Sequence, residues 1–166
     1  MERQVHHAAC PPLPAGEGRN AERPHRGAAY YGGSIMREIL FRGKQIDNGE
    51  WSEGHYHYAN WYLPPSMEIV DVTHYILPIG HGDAHKVDPS TVGQFTGLTD
   101  KNGKKIFEGD ICKGAWGTIF QVVYDDCYLG FRAKEKSGLS NCIDYYGLDR
   151  IEVIGNIHDN PELLEV

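Results

Sequence analysis

The sequence contains no long apolar run, and this absence excludes one class of protein at once. No stretch of about eighteen consecutive apolar residues exists among the 166 residues, so no transmembrane helix is predicted. The N-terminal residues also lack the apolar core of a secretory signal. We therefore expect a cytoplasmic protein that has no membrane partner.

Cysteine is scarce, and none of the four cysteines belongs to a Cys-x-x-Cys pair. The missing pairs argue against a structural zinc site or a thioredoxin-type redox site. Cys112 and Cys142 have aliphatic neighbours, which are typical of small buried thiols. We expect free core cysteines, with Cys10 and Cys127 as the other two, in a reducing compartment.

Positive charge is also limited where a fold is expected. Four arginines against three glutamates give residues 1–35 a net charge of +1, so the chain's −7 leaves −8 for residues 36–166. Nucleic-acid affinity depends on lysine and arginine neutralising phosphates. The acidic balance therefore argues against nucleic acid as a partner.

Residues 1–35 contain almost no large aliphatic or β-branched side chains and are rich in Pro, Gly, Ala and Arg. Such a segment cannot bury enough apolar surface to offset its chain entropy. We predict a disordered leader over residues 1–35 that is not part of the fold, followed by a domain over residues 36–166. Met36 opens the hydrophobic sequence, and we expect the natural start there.

Alternation and turn residues, rather than helical periodicity, organise residues 36–166. Extended patterns cover residues 53–63 and 66–79, and later segments predict two strands around an Asp125-Asp126 turn and a last strand near residue 152. The pattern predicts a mainly β domain, either a small antiparallel barrel or a sandwich, built from hairpins with one or two short helical turns.

Two Asn-Gly pairs predict tight hairpins of type I′, at Asn48-Gly49 and Asn102-Gly103, because both residue types tolerate positive φ. Two single helical turns are predicted where a capping side chain precedes proline. Asp88 stands before Pro89, and Asn160 stands before Pro161.

The stretch "FTGLTDKNGKKIFEGDI", residues 95–111, is the most distinctive block, and it includes the closely spaced carboxylates Glu108 and Asp110. Paired carboxylates can perform acid–base chemistry or bind a divalent cation. The favoured interpretation is structural: Gly109 permits a sharp entry into the next strand, while Asp110 accepts hydrogen bonds from turn amides. The residues interpreted as a structural motif are Gly97, Asp100, Asn102, Gly103, Glu108, Gly109, Asp110, Gly155, Asn156, Asn160 and Pro161.

Three blocks of the sequence occur in order: "REILFRG" at 37–43, "TVGQFTGLTDKNGKKIFEGDI" at 91–111 and "VIGNIHDNPELL" at 153–164. Together they resemble the YopX family of phage and prophage proteins. The resemblance implies a mainly β domain over residues 36–166 whose biochemical role is unassigned. It supplies no catalytic residue and no cofactor, so none is predicted.

Histidines offer an alternative hypothesis, a metal site. His55 and His57 share one face of a predicted strand, and His81, Asp83 and His85 follow in a loop. Nothing in the sequence brings these groups together. The sequence also has no Gly-x-Ser-x-Gly elbow and no phosphate-binding glycine loop, so we expect a protein that is not an enzyme.

Aromatic residues crowd one twelve-residue segment and form the predicted interface: Trp51, Tyr56, Tyr58, Trp61 and Tyr62. Residues 45–85 contain no lysine or arginine, which single-strand binding would require. We predict a non-enzymatic phage or prophage accessory protein in the bacterial host cytoplasm, a β module that binds another protein or assembles with itself. The alternative is a nucleic-acid-associated β-barrel in phage DNA or RNA metabolism, and a metal-dependent enzyme ranks below both.

Overall fold

The computed structural model describes residues 38–63, 68–80 and 82–165, and it describes residues 61–63 and 68–71 by their backbone alone. The predicted leader, residues 1–35, therefore lies outside the described residues. Eleven strands follow in chain order: β1 Phe41–Lys44, β2 Trp51–Leu63, β3 Glu68–Pro78, β4 His85–Lys86, β5 Gly93–Thr99, β6 Lys105–Phe107, β7 Asp110–Lys113, β8 Ile119–Asp125, β9 Gly130–Glu135, β10 Ser140–Cys142 and β11 Glu152–Asn156.

The strands form two antiparallel sheets. Sheet 1 has the order β4-β3-β2-β1-β5-β6, and sheet 2 has the order β10-β9-β8-β7-β11. The prediction of a mainly β fold is confirmed. The sequence analysis left two architectures open, a barrel and a sandwich. The closed barrel is wrong, because neither sheet closes on itself.

Helical structure among the described residues is limited to single 3-10 turns, at Pro89–Thr91, Ala115–Gly117, Ile143–Tyr146 and Pro161–Leu164. None of the helices there is long and apolar enough to cross a membrane. The first turn has the predicted cap, since the Asp88 side chain accepts a hydrogen bond from the Ser90 amide. The predicted Asn160 cap is wrong, because its side chain makes no capping hydrogen bond.

The chain passes from sheet 1 to sheet 2 between β6 and β7. Only Glu108 and Gly109 separate the two strands, and Gly109 has φ +83°, a conformation that favours glycine. The main core lies between the sheets. It combines Ile106 of β6 with buried residues of sheet 2 and the nearby turns: Cys112, Phe120, Val122, Ala133, Ile143, Tyr146, Ile151 and Val153.

Both predicted type I′ turns are wrong, because the only non-glycine residues with positive φ in the described part of the chain are Trp116 and Leu129. A type I′ turn requires positive φ at both central positions, which Asn102 therefore does not supply. The Asp100 carboxylate instead accepts hydrogen bonds from the amides of Asn102 and Lys104, at 2.8 and 2.9 Å. This favours a type I turn in which Gly103 alone has positive φ, at +81°.

In the loop before β2, too, a side chain accepts a backbone amide and only the glycine has positive φ. It extends from Gln45 to Glu50, whose backbones are joined by a 2.9 Å hydrogen bond, and Gly49 has φ +72°. The Asn48 side chain accepts a hydrogen bond from the Glu50 amide instead of occupying a two-residue turn. An aspartate or asparagine side chain thus determines the turn type in both loops.

The cysteines divide differently from the prediction. Cys112 is buried in the main core, where burial raises the pKa of its thiol well above the ordinary value. Cys142 is exposed at the end of the edge strand β10, and Cys127 is disulfide-bonded. Cys142 is free as predicted, but it does not lie in the core because an edge strand leaves its side chain in solvent. For Cys127 the expectation of a free core thiol is wrong on both counts, since it is exposed and disulfide-bonded.

Gly103→Ala is expected to lower the free energy of unfolding by about 1 to 2 kcal/mol, because an L-residue resists the left-handed backbone there. A Cβ at Gly103 would meet nothing within 4 Å, so the effect reports the backbone alone. Gly82→Ala is the matched control, since a Cβ at Gly82 would meet only Pro78, at an ordinary contact distance of 3.9 Å, and Gly82 has no positive φ. Urea denaturation that gives equal losses for both variants would contradict the turn assignment.

Candidate interaction surface

A buried ion pair joins the two sheets at the crossover. Arg42 Nη2 of β1 lies 2.6 Å from Asp110 Oδ1 of β7, and the two side chains are only 10% and 1% exposed. The other carboxylate oxygen, Oδ2, accepts a hydrogen bond from the Phe107 amide at 2.8 Å. Burial raises the pKa of Asp110, while Arg42 acts in the opposite direction, and the ionised form is the one that pairs with Arg42.

The Arg42 guanidinium also contacts two aromatic rings. Its Cζ lies 4.7 Å from the centre of the Trp51 ring and 5.0 Å from the centre of the Phe107 ring. Both contacts are of the cation–π type, which gains strength where water is excluded. Trp51 therefore belongs to the junction between the sheets, which separates it from the other predicted interface aromatics.

A second aspartate, Asp159, attaches the segment after β11 to sheet 1. Its carboxylate forms an ion pair with Lys44 of β1 and accepts hydrogen bonds from Trp51 Nε1 at 2.7 Å and Asn156 Nδ2 at 2.8 Å. The hydrogen bonds from Asn156 and Lys44 are the largest of the causes that hold the pKa of Asp159 well below its usual value. The neighbouring His158 has its pKa lowered by burial and by Arg42.

Asp100 makes the third connection. In addition to the turn amides, its Oδ2 accepts a hydrogen bond from the Val153 amide of β11 at 3.1 Å, and the Lys101 amide donates to the Ile151 carbonyl at 2.9 Å. Burial acts to raise the pKa of Asp100, but the three backbone donors outweigh it and lower the pKa. Asp100, Asp110 and Asp159 thus each connect sheet 1 to sheet 2, and we call them the three connecting aspartates.

The remaining motif residues support these connections. Gly97 has φ +86° at a register shift within the β5–β6 ladder. Gly155 has no room for a side chain, because a Cβ there would lie 2.7 Å from Asn160 Oδ1. Asn156 Oδ1 accepts hydrogen bonds from the amides of His158 and Asp159, and Pro161 begins the last 3-10 turn.

Glu108 and Asp110 do not converge on a shared site. Asp110 is fully buried against Arg42, whereas Glu108 is half-buried and lines a cleft of about 150 Å³. That volume suits a few water molecules and falls below the ~300 Å³ at the lower end of small-molecule sites. The cleft is lined by Ser90, Thr91, Val92, Glu108, Gly109, Gln121, Val122, Val123, Ile157 and His158.

The histidines do not assemble into a metal site within the described residues, which contain no group of three or more His, Cys, Asp or Glu able to hold an ion. His55 and His57 are exposed on β2. His85 Nδ1 is instead 2.8 Å from the Ser52 hydroxyl, and His81 lies outside the described residues.

The β2–β3 ribbon, residues 55–63 paired with residues 68–77, is the candidate interaction surface. β1 pairs with β2 only from Trp51 to Gly54, so the β2–β3 ladder continues well beyond the end of β1. From His55 to Ala59 the backbone of β2 pairs with β3 alone among the described residues. β4 pairs with β3 at Tyr75 and Ile76, so only the outer part of the ribbon, residues 59–63 with residues 68–73, lacks a third strand among the described residues.

Tyr56 and Tyr58 share one face of the ribbon but differ in environment. Tyr56 anchors the ribbon, because its ring lies 5.5 Å from Phe41 and its hydroxyl lies 2.5 Å from His74 Nδ1. Tyr58, which pairs across the ladder with His74, is 63% exposed. Of the predicted interface, Tyr58 is therefore an available aromatic ring, while the side chains of Trp61 and Tyr62 are outside the description.

Sequence reasoning missed the basic partners of this junction, Arg42 and Lys44, and the exposed aromatic residues Trp116 and Tyr145. The available signal for Arg42 was a single arginine inside the apolar segment "ILFRG", where a buried charge needs a carboxylate partner. For Trp116 the signal was "GAWGT", a tryptophan beside glycine in a turn.

The fold and the connecting aspartates define a class, an open two-sheet β domain held by polar connections between its sheets. The chain belongs to the YopX family, whose model, described as YopX protein, matches residues 40–165. The resemblance seen in the sequence is thereby confirmed. The crystal structure of protein EF1440 from Enterococcus faecalis is similar, at 24% identity and a TM-score of 0.44, over 78% of this chain and 99% of that chain. None of the curated proteins compared with the chain matches it.

Asp110→Ala is expected to lower the free energy of unfolding by about 3 to 5 kcal/mol, because it leaves Arg42 buried without its counter-ion. Glu108→Ala, two residues away, is the matched control and should change stability by no more than about 0.5 kcal/mol. Adding Arg42→Met to Asp110→Ala should restore part of the loss, since no buried charge remains. The urea midpoints of the parent, the two single variants and the double variant are compared. Equal losses of stability in Asp110→Ala and Glu108→Ala would refute the assigned role of Asp110.

Asp159 is expected to make the free energy of unfolding depend on pH. Its folded-state pKa is lowered, so its contribution is complete above the unfolded value of about 3.9 and disappears as pH falls through the folded value. We expect Asp159→Asn to be less stable than the parent at about pH 6, with the difference shrinking from about pH 4 downward. Urea midpoints across this range provide the measurement, and a difference that stays constant with pH would contradict it.

Proposed function

We propose that this YopX domain is a non-enzymatic accessory protein of a phage or prophage, and that it binds another protein through the β2–β3 ribbon. The observation that carries the proposal is the ribbon itself, which continues past β1 and presents Tyr58 with 63% of its surface exposed. Tyrosine is enriched among residues that dominate binding energy at protein interfaces.

The charge of the ribbon favours a protein partner over nucleic acid. Its sequence contains Glu68 and Asp71 but no lysine or arginine. Single-strand binding needs cations beside the aromatic rings, because they neutralise the phosphates. A partner that meets this surface therefore does so through apolar and hydrogen-bonding contacts.

The anchoring of the ribbon supports the same proposal. Phe41 and His74 hold Tyr56 at the end nearest the sheet, so the more distant Tyr58 is presented on a positioned backbone. Val72, which shares the face of Tyr58, is also exposed and extends the apolar surface. A preorganised surface loses less entropy on binding than a mobile loop.

Tyr58→Ser is expected to abolish partner binding without changing the thermal midpoint, because an exposed ring contributes little to the fold. The full chain is used to capture proteins from prophage-induced cells, and the captured proteins are identified and their affinities measured. Leu139→Ser, a change at another exposed apolar residue on the β9–β10 turn, is the matched control and should bind like the parent.

Two outcomes would contradict the proposal. The first is that the parent and Tyr58→Ser bind the captured protein equally. The second is that the chain retains nucleic acid with an affinity that falls steeply with salt, which would favour the nucleic-acid-associated alternative. Sedimentation of the purified chain separates self-assembly from binding of a different protein. A discrete oligomer that Tyr58→Ser disperses would identify the partner as a second copy.

A further inference from the structure

The cleft of about 150 Å³ at the crossover carries polar groups that the fold does not use. Glu108, Gln121 and His158 line it, and none of their side chains forms a hydrogen bond or an ion pair with another described residue. All three residues are half-buried, where water competes less well for hydrogen bonds. Several convergent polar groups in one concave surface indicate a binding site.

The fold positions these groups before any ligand arrives. On β8, Gln121 lies on the face opposite Val122, which belongs to the main core. His158 follows β11, and a Cβ placed at Gly109 would lie 4.0 Å from its Nε2, so the imidazole edge stands over the crossover. The ring of His158 also lies 5.9 Å from the Trp51 ring, centre to centre. The cleft is therefore preformed.

The charge around the cleft selects a cation. The charged groups that act on His158 are Arg42, Lys44, Asp88 and Asp159. Both cations already have a carboxylate partner, since Arg42 pairs with Asp110 and Lys44 pairs with Asp159. The carboxylates of Glu108 and Asp88 form no ion pair within the described part of the chain. His158 adds no positive charge near pH 7, because burial and Arg42 lower its pKa. Uncompensated carboxylates attract cations and repel phosphates.

The set of acceptors favours an ammonium group over a metal ion. Glu108 and His158 are the two metal-ligating side chains of the lining, and the described residues contain no group of three or more such side chains able to hold an ion. An ammonium group instead has three N–H donors. The Glu108 carboxylate, the Gln121 carbonyl oxygen and the neutral His158 ring nitrogen are three acceptors for them.

The apolar part of the lining indicates a carbon chain attached to that ammonium. Val92, Val123 and Ile157 line the same cleft. A water-sized group takes about 30 Å³, so the cleft accommodates roughly five of them. The n-butylammonium group, which is the side chain of lysine, has this size. An inorganic ammonium ion would leave the apolar walls without contacts.

We propose that this cleft binds a primary alkylammonium group, whose N–H groups donate to Glu108, Gln121 and His158 and whose methylenes lie along Val123 and Ile157. Such a group belongs either to a free alkylamine or to a lysine side chain of another protein, and the cleft recognises the same chemistry in both. The site is separate from the β2–β3 ribbon and does not depend on the function proposed for that ribbon.

The test is a nuclear magnetic resonance titration of the full chain with n-butylammonium chloride at about pH 7. The Gly109 amide, the Gln121 side-chain amide and the His158 ring signals are expected to shift saturably. Glu108→Gln should weaken binding at least about fivefold, because it removes the charge and keeps the shape. Its urea midpoint should equal that of the parent, since the Glu108 side chain has no partner among the described residues.

Glu152→Gln is the matched control, because it removes the same charge at the other end of β7, where Glu152 pairs with Lys113. It should bind n-butylammonium like the parent. A blocked Gly-Gly-Lys-Gly-Gly peptide distinguishes the two sources. Tighter binding of the peptide than of n-butylammonium identifies a lysine of a partner protein, and the reverse order identifies a free amine.

Four results would overturn the proposal. The first is that n-butylammonium shifts none of these signals, and the second is that uncharged n-butanol shifts them equally. The third is that Glu108→Gln binds n-butylammonium as tightly as the parent does. The fourth is that zinc or inorganic phosphate binds in the cleft and n-butylammonium does not displace it.

Discussion

The ion pair between Arg42 and Asp110 is the interaction on which the rest of the structure depends. It joins β1 in sheet 1 to the first residue of β7, which a two-residue connection separates from β6. Because both groups are almost fully buried, neither can be satisfied by water if the other is lost. The Phe107 amide donates to the same Asp110 carboxylate, and the Trp51 ring lies against the same Arg42 guanidinium.

Polar connections add to the apolar core that lies between the two sheets of this domain. Asp100 lies in a turn, Asp110 lies at the start of β7, and Asp159 lies in the loop after β11. At each position the carboxylate accepts hydrogen bonds from local donors and also contacts the other sheet. Each carboxylate satisfies several donors at once, which fixes the sheets' relative positions. The aspartates singled out in the sequence motif, Asp100 and Asp110, therefore connect the two sheets, as Asp159 also does.

Two surfaces of this domain differ in how they are formed. Tyr58 lies on a ribbon anchored through Tyr56, whereas the cleft at the crossover is lined by residues from several separate segments. The two strands of the ribbon were predictable, because extended, alternating patterns cover residues 53–63 and 66–79. The cleft was not, because Glu108, Gln121 and His158 lie apart in the sequence and line one surface only when the two sheets pack together.

Local chemistry in the sequence determined the β class, the positions of the glycine-containing turns and the polar role suggested for Asp110. Alternation and φ preferences act over a few residues, so they can be read without the fold. Tertiary structure alone decided the open two-sheet arrangement, the partner of Asp110 and the separation of Trp51 from Tyr58. Arg42 and Asp110 are 68 positions apart, and a buried charge selects its partner only after the sheets have excluded water around it.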